Sequence, residues 1–150
     1  MINAKPIRIL VADDDADDRM LIGDAFEEAS LKNPIDFVED GIELLEYLKH
    51  EGRYADLADD VRPGIILLDL NMPRMDGRTA LGEIRKDPEL RNIPIIVLTT
   101  SKSEEDILRT YDLGVNSFIT KPVTFDGLVQ VVQVLNQYWV EIVAVPANVE

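Results

Sequence analysis

Five short apolar runs punctuate the chain: Ile7–Ala12, Ile35–Val38, Ile65–Leu68, Ile95–Leu98 and Val115–Ile119. Each is four to six residues long and rich in Ile, Val or Leu, which predicts strands. The first, third and fourth are apolar apart from Arg8, the pattern of strands buried on both faces in a parallel sheet covered by helices. Segments with helical spacing lie between the runs. Ile22, Ala25, Phe26 and Ala29 follow the first, Leu44, Leu45 and Leu48 the second, and Ala80, Leu81 and Ile84 the third. Ile107, Leu108 and Tyr111 follow the fourth, opened by a capping-box-like Ser103…Asp106 and closed by Gly114. The last segment begins near Thr124 and carries Leu128, Val131, Val132, Leu135 and Trp139 on one face.

Strands alternating with helices, five of each, predict an α/β fold with a doubly wound, five-stranded parallel sheet. Right-handed crossovers favour the flavodoxin-like strand order 2-1-3-4-5. With 150 residues the chain has the usual size of one domain, and a second catalytic or output domain is not expected. The core is expected over about residues 8–138, with 139–150 as a C-terminal extension. Residues 51–63, of mixed charge and broken by Gly52 and Pro63, read as a surface loop before the third strand.

Composition narrows the function classes. Against 29 Asp+Glu stand only 15 Lys+Arg, a formal charge of −14, which argues against a nucleic-acid surface because phosphate binding needs a basic patch. The absence of cysteine excludes disulfides, Cys-ligated metal sites and thiol catalysis. A single histidine, His50, gives little support to His-based metal sites or triads. No run is long and apolar enough for a membrane span, and the first residues lack a signal-peptide core, so a cytoplasmic protein is expected.

The acid is unevenly placed. Asp13, Asp14, Asp15, Asp17 and Asp18 put five carboxylates into six positions directly after the first strand. In an open parallel sheet, ligands bind at the carboxyl ends of the strands where strand order reverses, here between strands 1 and 3. Strand 1 ends in Asp13-Asp14 and strand 3 in Asp69, so three carboxylates converge on one crevice. Like charges within ~4–6 Å raise one another's pKa, a conflict that a hard divalent cation such as Mg²⁺ removes. Alone, Asp13-Asp14 would serve equally as helix caps in a solvated turn; Asp69 in register favours the cation. Thr99 ends strand 4 and Lys121 follows strand 5, supplying the hydroxyl and ammonium that phosphoryl oxygens require. A cis Lys121–Pro122 bond would aim the lysine inward. One carboxylate more than a plain Mg²⁺ site needs is then left as a nucleophile for an aspartyl phosphate. Asp15, Asp17 and Asp18 read as the solvated start of a helix.

These residues sit in ILVADDD, IILLDLNMPRMDG, IIVLTTS and NSFITKP, and in that order and spacing the chain resembles the receiver domain of two-component response regulators from about Arg8 to Tyr138. The resemblance implies that a histidine kinase phosphorylates Asp69. It implies Mg²⁺ held by Asp14, Asp69 and the Asn71 backbone carbonyl, with Asp13 acting through water, and Thr99 and Lys121 on the phosphoryl oxygens. It also implies a switch in which Thr99 moves inward and Phe118 rotates into the vacated space. Family members often carry Tyr at that position, so with Phe only the packing half of the switch operates. Thr100 is bulkier than the Ala or Gly that relatives use to admit water or phosphodonor. The Met72-Pro73…Asp76-Gly77 run matches the family's loop, where Pro and Gly set the turn. The wording of these motifs, the loop before strand 3 and the long last helix resemble the stand-alone regulators of phytochrome-type histidine kinases in cyanobacteria and other bacteria.

The last helix runs past what the sheet needs. A strand of ~17–20 Å is matched by about 13 helical residues, used up near Gln137. Beyond it come Tyr138, Trp139, Val140, Ile142, Val143 and Val145, an apolar patch that predicts a homodimer built with the fourth helix and fifth strand. The interface residues expected are Tyr138, Trp139, Ile142 and Val143. Three rivals fit less well. An EF-hand-like Ca²⁺ module starting at Asp13 fails at its sixth and twelfth positions, Asp18 and Asp24. A nucleotide-binding loop lacks its glycine motif. A haloacid dehalogenase-type phosphohydrolase needs a second Asp two residues after the nucleophile, where Asn71 stands. The chain is therefore read as a phosphorylation switch rather than an enzyme, losing its phosphoryl group by autodephosphorylation.

Overall fold

A computed structural model describes residues 7–57, 62–100 and 103–137. Five strands, β1 (Ile9–Ala12), β2 (Ile35–Val38), β3 (Ile65–Leu68), β4 (Ile95–Thr99) and β5 (Ser117–Thr120), form one parallel sheet in the order β2-β1-β3-β4-β5. Between and after them run α1 (Ala16–Glu28), α2 (Gly41–Lys49), α3 (Gly77–Lys86), α4 (Glu104–Asp112) and α5 (Phe125–Leu135). The expected five-plus-five arrangement and strand order are both present.

The alternation of side chains along each strand divides the core into two layers. Leu10, Ile66, Leu68, Ile95 and Val97 point to one face, where Leu44 and Leu48 of α2 and Ala80, Leu81 and Ile84 of α3 cover them. Ile9, Val11, Ile65, Leu67, Ile96 and Leu98 point to the other, beneath Ile22, Ala25 and Phe26 of α1 and Leu128, Val132 and Leu135 of α5. Burying such a side chain contributes about 1.5–3 kcal/mol, so β1, β3 and β4, buried at every position, form a stiff platform.

Each of the five α-helices starts on a side-chain cap. Asp15, Asp40, Asp76, Ser103 and Thr124 each accept from a backbone N–H of their helix's first turn. The Ser103-to-Asp106 start and the Gly114 stop (φ +88°) lie where the pattern placed them. Asp15 and Asp17, read as the solvated helix start, are exposed.

Two expectations need correction, the start of β5 and the Lys121–Pro122 bond, and α4 turns its apolar spacing largely outward: Ile107 is half-buried, while Leu108 and Tyr111 are 67% and 49% exposed. The side chain that α4 does bury is Thr110, whose hydroxyl donates to the carbonyls of Asp106 and Ile107 and so carries no unmet hydrogen bond inward. β5 begins at Ser117 rather than Val115, because the Val115 N–H is taken by the Thr110 carbonyl in closing α4. No peptide among the described residues is cis, so Lys121–Pro122 is trans and the lysine must be aimed by other means.

The stretch after α2 contains a 3₁₀ turn, Gly52–Tyr54, pinned by Tyr54 packing edge-on against Tyr47 and bonding to Glu43. Tyr138, Trp139, Ile142 and Val143 lie outside the described residues. Among the described residues no helix is long and apolar enough to cross a membrane.

Candidate functional site

Strand register brings the chemistry together. Ala12 pairs with Leu68, so Asp13 and Asp69 leave adjacent strand ends side by side, with the Asp69 N–H on the Ala12 carbonyl at 2.9 Å. Thr99 ends β4 beside them, and the Lys121 N–H extends the ladder to the Thr99 carbonyl at 2.8 Å. Asp13, Asp69 and Thr99 are buried, whereas Asp14 is exposed.

Asp69 is the hub. Its Oδ1 accepts from the Thr99 hydroxyl at 2.8 Å and from the Asn71 N–H at 3.1 Å, and its Oδ2 accepts from Lys121 Nζ at 3.0 Å. The same ammonium donates to Asp13 Oδ2 at 2.7 Å. Thus Lys121 is aimed inward by carboxylates, not by a cis bond. Asp13, Asp14 and Asp69 each place a carboxylate oxygen within 4.8 Å of the others. Three hard oxygen donors of that density suit a small divalent cation, and their mutual repulsion is the driving force for taking one.

The electrostatics agree with this geometry. Burial pushes the Asp13 carboxyl above its ordinary value, although the Lys121 ammonium and the Asp15 N–H pull it down. Burial alone would lower the Lys121 ammonium; its hydrogen bonds to Asp13 and Asp18 outweigh that and hold it above its ordinary value. The lysine is therefore charged at all physiological pH.

Three side chains that brace the site and the loops and helices around it escape a reading of the sequence. Asp18, assigned there to solvated helix, bonds Lys121 at 2.8 Å; its place one helical turn after Asp14 was the available signal. Arg19 donates from Nη1 to the Asp13 carbonyl and from Nη2 to Glu39, tying the loops after β1 and β2. Arg78 grips Asp106 of α4 with two N–H groups, each at 2.6 Å, and so links the start of α3 to α4. Nothing in spacing reveals the last two, since they depend on how separate elements pack.

The loop after Asp69 also works differently from expectation. Gly77 does not set a turn. It opens α3 so close to the loop after β3 that a Cβ there would lie 2.3 Å from the Asp69 carbonyl oxygen. The left-handed residue of the loop is Arg74, φ +65°, whose guanidinium reaches Asp40 at 3.2 Å.

Phe118 is half-buried against the α2–α3 side of the core, and its N–H donates to the Tyr111 hydroxyl at 3.3 Å. Thr100 is exposed at the end of β4. Asn71 is exposed, with its N–H on Asp69.

Comparison with known proteins places this arrangement. Residues 9–133 match the response regulator receiver domain family. The response regulator Rcp1 of Synechocystis sp. is 37% identical over 145 residues, covering 97% of this chain and 96% of Rcp1. The crystal structure of the phosphorylated cyanobacterial phytochrome response regulator RcpA superposes with a TM-score of 0.87 at 39% identity, over 95% of this chain and 99% of that one. The Mn²⁺-bound form of Rcp1 superposes with a TM-score of 0.84 at 35% identity, over 94% and 99%.

Proposed function

From the premise that the chain belongs to the response regulator receiver domain family, we propose that it takes a phosphoryl group from a histidine kinase onto Asp69 and signals through phosphorylation-dependent protein contacts. The observation that carries this reading is the convergence on one buried carboxylate of a hydroxyl, an ammonium and two further carboxylates. In the transfer an Asp69 carboxylate oxygen bonds to phosphorus, the bond from phosphorus to the donor breaks, and the donor leaves with that electron pair. Asp14 and Asp69, the Asn71 carbonyl and, through water, Asp13 would hold Mg²⁺, which supplies neutralisation of the phosphoryl charge. Thr99 and Lys121 donate to the phosphoryl oxygens, and Phe118 reports the movement of Thr99. Beyond gaining and losing this group, the chain performs no reaction of its own.

The kinase is of phytochrome type in this reading, supported by the likeness to RcpA and Rcp1, and the protein acts in the cytoplasm. Incubation with Mg²⁺ and a small acyl phosphate is expected to add the mass of one phosphoryl group. No gain in mass, or a gain that does not require a divalent cation, overturns the reading.

A homodimer through α4, β5, α5 and the segment with Tyr138, Trp139, Ile142 and Val143 completes the proposal. Its support is the exposure of Leu108 and Tyr111 on α4 and of Val134 on α5. In sedimentation, Trp139→Ala is expected to shift the protein toward the monomer; an unchanged dimer removes Trp139 from the interface.

A further inference from the structure

The Lys121 ammonium is held by one carboxylate more than the phosphoryl site accounts for. Its three N–H donors face Asp13 at 2.7 Å, Asp18 at 2.8 Å and Asp69 at 3.0 Å. Asp13 and Asp69 belong to the group of converging carboxylates, and Asp69 is also the proposed phosphoacceptor. Asp18 has neither duty. It stands on the first turn of α1, and the Asp15 cap, which accepts the Asp17 and Asp18 N–H groups, fixes the helix phase that turns it toward the lysine.

The other two contacts must rearrange when the site works. A divalent cation on Asp69, with Asp13 engaged through water, competes with the ammonium for those carboxylates, and on phosphorylation Lys121 must pass from the Asp69 carboxylate to the phosphoryl oxygens, where the added negative charge lies. Lys121 and Asp18 also border a groove between α1 and the start of α5, walled by Leu21, Leu98, Pro122 and Phe125. An unanchored lysine has room to swing into that groove, away from Asp69. The contact with Asp18 spans from helix to strand end across 103 residues of sequence.

We propose that Asp18 is a positioning residue for phosphoryl transfer: it keeps the Lys121 ammonium beside Asp69 when a cation engages Asp69 and, through water, Asp13. The proposal rests on Asp69 being the phosphoacceptor. During transfer from an acyl phosphate, the Asp69 oxygen bonds to phosphorus as the donor departs as a carboxylate. Charge then gathers on the phosphoryl oxygens where Lys121 must already stand. An ordinary surface ion pair would lack this consequence, because the 36% exposed Asp18 would contribute little to stability.

The test uses the intact protein, a small acyl phosphate and Mg²⁺. In Asp18→Asn the saturated rate of phosphoryl incorporation is expected to fall about tenfold to a hundredfold, the range over which misplaced groups act, while the half-saturating Mg²⁺ stays within about twofold. Asp18→Glu is expected to recover most of the rate. By NMR of the Mg²⁺-loaded protein, the Lys121 ammonium protons should exchange slowly in the wild type and fast in Asp18→Asn, a readout independent of phosphorylation. An unchanged rate in Asp18→Asn overturns the proposal, as does a loss explained wholly by a weaker Mg²⁺ response. Should Asp18→Asn fail to fold, ammonium exchange in Asp18→Glu decides, with unprotected protons in the wild type overturning the proposal. No incorporation by the wild type, with ammonium protection still dependent on Asp18, removes the phosphoacceptor reading and leaves the contact merely structural.

Discussion

Asp69→Asn is expected to abolish phosphoryl uptake while leaving a protein that melts no lower than the wild type in the absence of metal. The chemical half follows from the loss of the attacking oxygen: an amide cannot form the acyl phosphate, and removal of a nucleophile costs at least about 10³-fold. The structural half follows from the contacts. Thr99 and the Asn71 N–H both donate to Oδ1, which Asn retains, and Lys121 keeps Asp13 and Asp18. What disappears is one of three like charges packed within 4.8 Å. The measurement is intact mass after incubation with Mg²⁺ and an acyl phosphate, beside a thermal melt in chelator. Incorporation that survives the substitution removes Asp69 from its role; a collapsed melt would show that Asp69 is a structural residue first.

The second large effect concerns the only ammonium among the described residues that contacts this cluster. Lys121→Met keeps the length and apolar stem of the side chain but strands two carboxylates, Asp13 and Asp69, that are almost wholly buried. Breaking a buried pair in this way costs about 3–5 kcal/mol, and for a chain of this size each kcal/mol moves the melting temperature by about 2–4 °C. A fall of roughly 6–20 °C in chelator is therefore expected. Saturating Mg²⁺ is expected to restore part of the loss, since a cation can take over the role of the lysine. The pH dependence has a definite sign. The folded-state pKa of Lys121 is raised, so its contribution is complete below its ordinary value of 10.5 and is lost only as pH rises through the higher folded value. The folded-state pKa of Asp13 is raised too, so its protonated form favours the fold, and stability drains away as pH rises from 3.8 through the folded value. Without the lysine that drain is expected to deepen. A Lys121→Met protein equal in stability to the wild type across neutral pH would contradict the geometry of the cluster.

The strands and their order were legible because apolar runs bounded by breakers leave few alternatives in a parallel sheet. Asp13, Asp69, Thr99 and Lys121 were legible as well, because a residue that ends a strand must project from the sheet's edge, and strand order then decides its neighbours. Side chains whose partners depend on rotation about a helix axis were not. Asp18 faces Lys121 only because Asp15 sets the phase of α1. Arg78 meets Asp106 only because two helices, 28 residues apart in sequence at the contact, dock at a particular angle. On α4 the spacing of Ile107, Leu108 and Tyr111 was helical, but periodicity does not say which face turns inward. There a small, internally bonded Thr110 was buried and two larger side chains were left outside.

The three grips on Lys121 have a bearing on how the chain reaches its native state. The ammonium finds Asp69 across 52 residues and Asp18 across 103. Contacts of that separation lose their entropy of closure before they gain anything, so they follow the shorter-range pairings instead of leading them. The cluster is therefore expected to close late, once β1, β3, β5 and the first turn of α1 have all docked. A half-folded chain presents Asp69 without its ammonium and cannot imitate the finished switch. With Asp69 as the phosphoacceptor proposed above, competence to be phosphorylated would double as proofreading of the fold, the phosphoryl group being accepted only by molecules that have completed it.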